Sequence, residues 1–179
     1  MRLVAMVFAL VAAALTLALS AADAPGVVSH IKVLSDKVPD ISSMEAWKKS
    51  CIKDGMTDEQ KALAVWQSVF TWRHQDIPPN EFLHDEGNVH DAIKGFNVYG
   101  YGMCCCASAN IEALARYVGL QARGRIITAH SVPEVLWDGK WRLLDSSLIT
   151  YFPGPDGKPL GVDELIAGLD EWYQKNPGY

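Results

Sequence analysis

Three adjacent cysteines, Cys104 to Cys106, stand out in this sequence of 179 residues, and His130 and Asp145 follow them in an order that suits nucleophilic thiol chemistry. A thiol attacks as its thiolate, so it needs surroundings that favour the anion, a base to carry the proton, and a group that orients the base. Cys104 meets the first need by position. Helical spacing begins behind it, with Ala107, Ile111, Leu114, Ala115 and Val118 on one face and Gly119 as the stop. Cys104 therefore stands at a helix N-terminus, where unpaired N–H groups and the positive dipole end favour an anion. Cys105 and Cys106 are turned about 100° and about 200° further round the helix. The triplet is therefore not three equivalent nucleophiles, and a buried structural role is the plainer expectation for any of these thiols taken singly.

His130 and Asp145 are brought together by hairpin arithmetic. Asp138-Gly139 is a strong two-residue turn signal between Ser131–Trp137 and Trp141–Asp145. That turn pairs Trp137 with Lys140 and sets Val132 opposite Asp145. His130, two residues from Val132, then shares a face with Asp145 at a diagonal position about 7–8 Å away at the backbone, within reach of an imidazole and a carboxylate. Pro133 works against this register, because it falls on a hydrogen-bonded pair with Leu144 and has no N–H to give; a bulge there would shift the pairing. Glu134 lies on the same face and is a rival orienter, or a plain hairpin-face charge.

The elements that must hold these residues can also be read. Ser42-x-x-Glu45 is a capping-box pattern with Met44, Trp47 and Cys51 behind it at helical spacing, so Cys51 reads as a core-facing residue. Thr57-x-x-Gln60 opens a longer helix whose Leu63, Trp66, Val69 and Phe70 share a face. From His74 to Gly102 the periodicity fails. Pro78 and Pro79 stop the helix, and a polar stretch with His84, Asp85, Glu86 and His90 reads as a long surface connection of the kind that shapes sites. Tyr99-Gly100-Tyr101-Gly102 then leads into Cys104, its glycines permitting close approach of the backbone to a bound group. Ala122–Ala129 is an expected strand and Phe152–Pro159 a loop. A last helix spans about Val162 to Trp172, with Val162, Leu165, Ile166 and Leu169 as its buried stripe.

With 49% hydrophobic and 21% charged residues, the chain has the balance of an ordinary globule with one core. Residues 1–22 read as an export signal, with a basic start at Arg2, an apolar run from Leu3 to Leu19 and small residues at Ala18, Ser20 and Ala22; an uncleaved anchor is the alternative. Residues 23–179 are then one domain. The formal charge of −5, which loses a further positive charge when Arg2 leaves with the signal, gives no reason to expect a nucleic-acid partner. Export would put the cysteines where disulfides persist, so one bridge could form among Cys51, Cys105 and Cys106 beside a free Cys104. His84, Asp85, His90 and the cysteine triplet are ligand types, but adjacent cysteines diverge and no C-x-x-C or H-x-x-x-H pair is present, so no metal and no other cofactor is expected.

Gly102-Met103-Cys104 and Ala113–Arg123 together resemble the nucleophile helix and exit of the transglutaminase-like family. His130 with Glu134, then Asp138-Gly139-Lys140-Trp141-Arg142-Leu143-Leu144-Asp145, is similar to its histidine strand, hairpin and aspartate strand. The helix from Asp58 to Arg73 is similar to the one preceding the family's site, and the resemblance covers Asp58 to Ser147. It implies an α+β, papain-like fold in which a cysteine-bearing helix packs on an antiparallel sheet carrying histidine and aspartate. It also implies acyl transfer through a thioester, with Cys104 as nucleophile, His130 as base and Asp145 as orienter. The Cys104 N–H would help hold the oxyanion, with Tyr99, Tyr101 and Glu134 as further candidates for substrate or oxyanion contact. Cys105-Cys106, Val132-Pro133 in place of an aromatic, and Ser146-Ser147 depart from the family pattern and bear on the substrate. The expected activity is hydrolysis of amide bonds in a protein or peptide. Protein cross-linking is the second reading, and an inactive binding module the third.

Overall fold

Hydroxyl side chains open the first two helices of the described residues. In this computed structural model, which describes residues 31–77 and 89–179, α1 (Met44–Cys51) is capped by Ser43 and α2 (Asp58–Trp72) by Thr57. Residues 1–22, read as signal or anchor, and Pro78, Pro79, His84, Asp85 and Glu86 lie outside the described residues. Leu34 to Tyr179 form one unit. Thr57 and Gln60 make the reciprocal capping box that the sequence predicts. The α1 cap is one residue later than expected: Ser43 Oγ accepts from the Ala46 N–H, while the Ser42 hydroxyl donates to Asp40. The buried face of α2 is also rotated from the expected one. Ala62, Val65, Ser68 and Val69 point inward, whereas Leu63, Trp66 and Phe70 flank the core, Trp66 standing edge-on to Phe70 and Tyr151. Trp47 explains the rotation, since it is fully buried and donates its indole N–H to Ser68 Oγ at 3.0 Å. The small residues of α2 let that large ring approach.

The stretch expected to be a plain surface connection contains structure. β1 (His74–Gln75) pairs in parallel with β2 (Tyr101–Gly102). Between them, α3 (Ala92–Lys94) runs into a π-turn over Gly95–Tyr99, closed by the Gly100 N–H on Gly95 O at 2.7 Å. Val89, Ala92 and Phe96 are buried, so this segment is stitched to the core by a few apolar anchors too sparse to show as a period.

The centre is α+β, as expected. α4 (Cys104–Tyr117) packs its Ala107–Ile111–Leu114–Ala115 face on an antiparallel sheet of β3 (Gln121–Ile127), β4 (His130–Trp137) and β5 (Lys140–Leu143), in that order. Asp138 (φ 51°) and Gly139 (φ 72°) form the expected turn, and the predicted register holds from Trp137↔Lys140 to Glu134↔Leu143. Pro133 then ends the ladder without a bulge: its carbonyl still accepts the Leu144 N–H at 3.3 Å, and Asp145 turns away to bridge Thr150. A second tight turn, Thr128 (φ 44°) and Ala129 (φ 63°), makes His130 the first residue of β4, paired with Ile127. α5 (Val162–Lys175) is longer than expected and less buried; Val162 is in the core and Leu165 half-buried, but Ile166 and Leu169 are 46% and 55% exposed. Among the described residues, no helix is long and apolar enough to cross a membrane.

Left-handed backbone costs an L-residue about 1–2 kcal/mol, and the turn before His130 carries two such residues without glycine. Ala129→Gly should therefore raise stability by about 0.5–1 kcal/mol after the loss of chain stiffness is subtracted. A urea midpoint that rises at unchanged slope is the expected reading.

Candidate thiol site

Cys104 is the first residue of α4, and Met103 before it is extended (φ −82°, ψ 178°) and offers no side-chain cap. The first-turn N–H groups are thus left for other acceptors. The backbone N–H groups of Ser131 and Cys105 and the His130 side chain lie where they favour the Cys104 thiolate. Burial, the largest single influence, pushes the thiol up, but these donors and the His130 charge together outweigh it and hold its pKa below the ordinary range. His130 is affected in the opposite sense. Burial pulls it down, and the stronger sum of Asp145 and Cys104 holds it above the usual histidine value. Both shifts favour a thiolate–imidazolium pair.

The His130 Nε2 lies 2.7 Å from Asp145 Oδ2, which leaves Nδ1 for Cys104. Asp145 is held by its own turn, its Oδ1 accepting the N–H of Ser147 at 2.8 Å and of Leu148 at 3.1 Å. With only 4% of its side chain exposed, it cannot swing to water. The Ser146-Ser147 departure therefore lies in the segment that orients the carboxylate, an Asx-type turn whose signal is Asp followed by serines.

Arg73 is a residue that sequence reasoning left without a role. It is buried at 4% exposure; its Nη2 donates to Met103 O and to Gln75 Oε1, each at 2.8 Å, and to Gly102 O. It thereby fastens the chain just before Cys104, and its charge lies close to the three thiols and Asp145. A Cβ on Gly102 would come within 3.0 Å of Cys106 Cβ and 3.5 Å of Arg73 Nε, so this glycine admits neighbouring side chains, where the sequence suggested a bound group.

Of the expected contact residues, Glu134 is elsewhere engaged. It is fully buried, with Oε2 paired to Arg123 and Oε1 accepting the Val162 N–H at 2.8 Å. It acts as a remote cap for α5, whose own N-cap Gly161 has no side chain to offer. Tyr99 and Tyr101 are half-buried, and Tyr101 stacks at a tilt on His74. A cleft of about 290 Å³ opens beside His130 and Asp145, walled by Val132, Leu143, Leu148, Phe152, Ile166 and Leu169. The stripe expected to be buried under α5 in part lines this cleft instead.

None of the four cysteines, Cys51 and Cys104 to Cys106, is in a disulfide. The expected divergence of Cys105 and Cys106 does not keep them apart: their Sγ atoms and a ring nitrogen of His90 all lie within 4.8 Å of one another. Adjacent helical side chains leave the axis in different directions, but a sulfur on a rotatable Cβ can turn back toward its neighbour.

No family model and no curated protein matches this chain. A crystal structure described as that of a TGase is similar over 66% of this chain, at 17% identity and a TM-score of 0.43. The match spans 34% of that structure's length.

Alkylation of Cys104 should have its pH midpoint below that of an ordinary cysteine thiol, because a lowered pKa retains the thiolate until the pH falls through it. His130→Ala removes a donor and a positive charge, so the midpoint should rise, as read by mass spectrometry of the labelled thiol. Glu134→Ala should cost about 2 kcal/mol, below the 3–5 for a fully buried pair, because Arg123 is 35% exposed and can be hydrated. The Cys104 midpoint should stay where it is; a shift would return Glu134 to the site.

Proposed function

We propose that this protein is a transglutaminase-like thiol enzyme that cleaves amide or peptide bonds through Cys104, His130 and Asp145. The observation that carries the reading is His130 held between the Cys104 thiol and a carboxylate 2.7 Å from its Nε2, itself fixed by two backbone N–H groups. In the proposed cycle, Cys104 Sγ attacks the amide carbonyl carbon and the imidazolium gives its proton to the departing amine, leaving a thioester. Water then attacks the thioester while His130 takes a proton, and the thiolate departs. N–H groups at the start of α4 are the donors for the oxyanion. Asp145 keeps the imidazole in one orientation and stabilises its charged form.

The cleft beside His130 supports a protein or peptide substrate with an apolar side chain near the scissile bond. Export of the chain is the companion proposal and rests on the composition of residues 1–22. An amine in place of water would turn the same chemistry into cross-linking.

The test uses apolar peptides carrying glutamine or an internal amide, with and without a labelled primary amine. Free acid and new amine termini are expected, with Cys104→Ala inactive and His130→Ala slower by about 10³-fold. Label carried into glutamine would replace hydrolysis by cross-linking. Turnover unaffected by Cys104→Ala would end the thiol mechanism, and no turnover with any peptide would favour a binding module.

A further inference from the structure

Beside the nucleophile lies a second cluster of chemistry-bearing groups for which the triad has no use. His90 comes from the segment before α3, while Cys105 and Cys106 are the second and third residues of α4. Their three ligand atoms lie within 4.8 Å of one another, with His90 exposed, Cys105 half-buried and Cys106 buried at 2%. A cation about 2.3 Å from each sulfur and about 2.0 Å from the nitrogen needs ligand atoms no more than roughly 4–4.6 Å apart, which small side-chain rotations supply. A disulfide between Cys105 and Cys106 is not a competitor in the helix, because adjacent Cα atoms are about 3.8 Å apart and a bridge wants at least about 4.4 Å.

We propose that His90, Cys105 and Cys106 form a binding site for a soft d¹⁰ cation, copper(I), which ties the segment before α3 to the first turn of the nucleophile helix. Two thiolates select soft metals, and a neutral imidazole is an accepted third ligand. Three ligands suit copper(I), whereas a structural zinc site is nearly always four-coordinate. The charge balance points the same way. Two thiolates and one monovalent cation leave a single negative charge, and the buried Arg73 guanidinium beside Cys106 neutralises it. Backbone bonding already supports the arrangement: with its amide oriented to satisfy its neighbours, Asn110 donates to the carbonyls of both His90 and Cys106. Cys104 is not in the set: the three ligand atoms that gather within 4.8 Å of one another are those of His90, Cys105 and Cys106.

The inference stands apart from the proposed hydrolysis and is tested by binding. The full chain, reduced and free of oxygen, is titrated with copper(I) against a chromophoric copper(I) chelator, and each thiol is then mapped by alkylation and mass spectrometry. One ion per chain is expected, with Cys105 and Cys106 protected while Cys104 still labels. Cys105→Ser should weaken binding by about 100-fold and His90→Ala by about 10-fold, while Cys104→Ala should leave it unchanged. His90 is exposed, so its variant reports on the site even if a change at buried Cys106 disturbs folding. Binding lost in Cys104→Ala, or unaltered in His90→Ala, would overturn the proposal, as would a loaded protein whose Cys105 alkylates freely.

Discussion

The packing of α4 on β3 and β4 is the constraint on which the rest depends. Ile111, Leu114 and Ala115 are fully buried against a core that includes Ala122, Val135 and Leu144. Complete burial of each large aliphatic side chain contributes about 1.5–3 kcal/mol, so the helix can neither slide nor rotate cheaply. Its first residue is then delivered to one place, against the start of β4. A thiol and an imidazole that belong to different elements meet there because each is the terminal residue of its own.

The electrostatics follow from this placement. A half-buried thiol among apolar neighbours would hold its proton; Cys104 is instead surrounded by two backbone N–H groups and an imidazole whose far nitrogen faces a carboxylate. Each charge stabilises the next along the line from sulfur to carboxylate. Asp145 is almost wholly buried, yet its oxygens are satisfied by two N–H donors and His130. Arg73 adds a second, broader positive influence beneath all three cysteines, and its bonds to Gly102 and Met103 carbonyls hold the entry to the helix in position.

Glu134 and Asp145 show how two carboxylates near the same strand pair acquire different duties. Glu134 is within the ladder, sealed under Gly161, where a Cβ would come within 2.6 Å of Trp141 O and 3.1 Å of Glu134 Oε1. It secures α5 and Arg123. Asp145 comes after the ladder has ended at Pro133, so its backbone is free to turn toward Thr150 and its carboxylate to reach His130. A proline that sequence reasoning treated as a threat to the register is thus the residue that releases the aspartate.

The sequence by itself determined the local elements whose signals lie within a few residues: the Thr57 capping box, the start of α4 at Cys104, the Asp138-Gly139 turn and the hairpin register from Trp137↔Lys140 to Glu134↔Leu143. Each is decided by short-range sterics or by a period that neighbouring residues display. Tertiary structure alone decided which face of α2 is buried, because the bulk of Trp47 and its bond to Ser68 select the small side chains. The Thr128-Ala129 turn has no glycine to announce it, and its strained backbone is held by the strands on either side. The anchoring of Arg73, the engagement of Glu134 with α5 and the approach of His90 to Cys105 and Cys106 join residues distant in sequence. Such contacts depend on where whole elements come to rest, which no local pattern encodes.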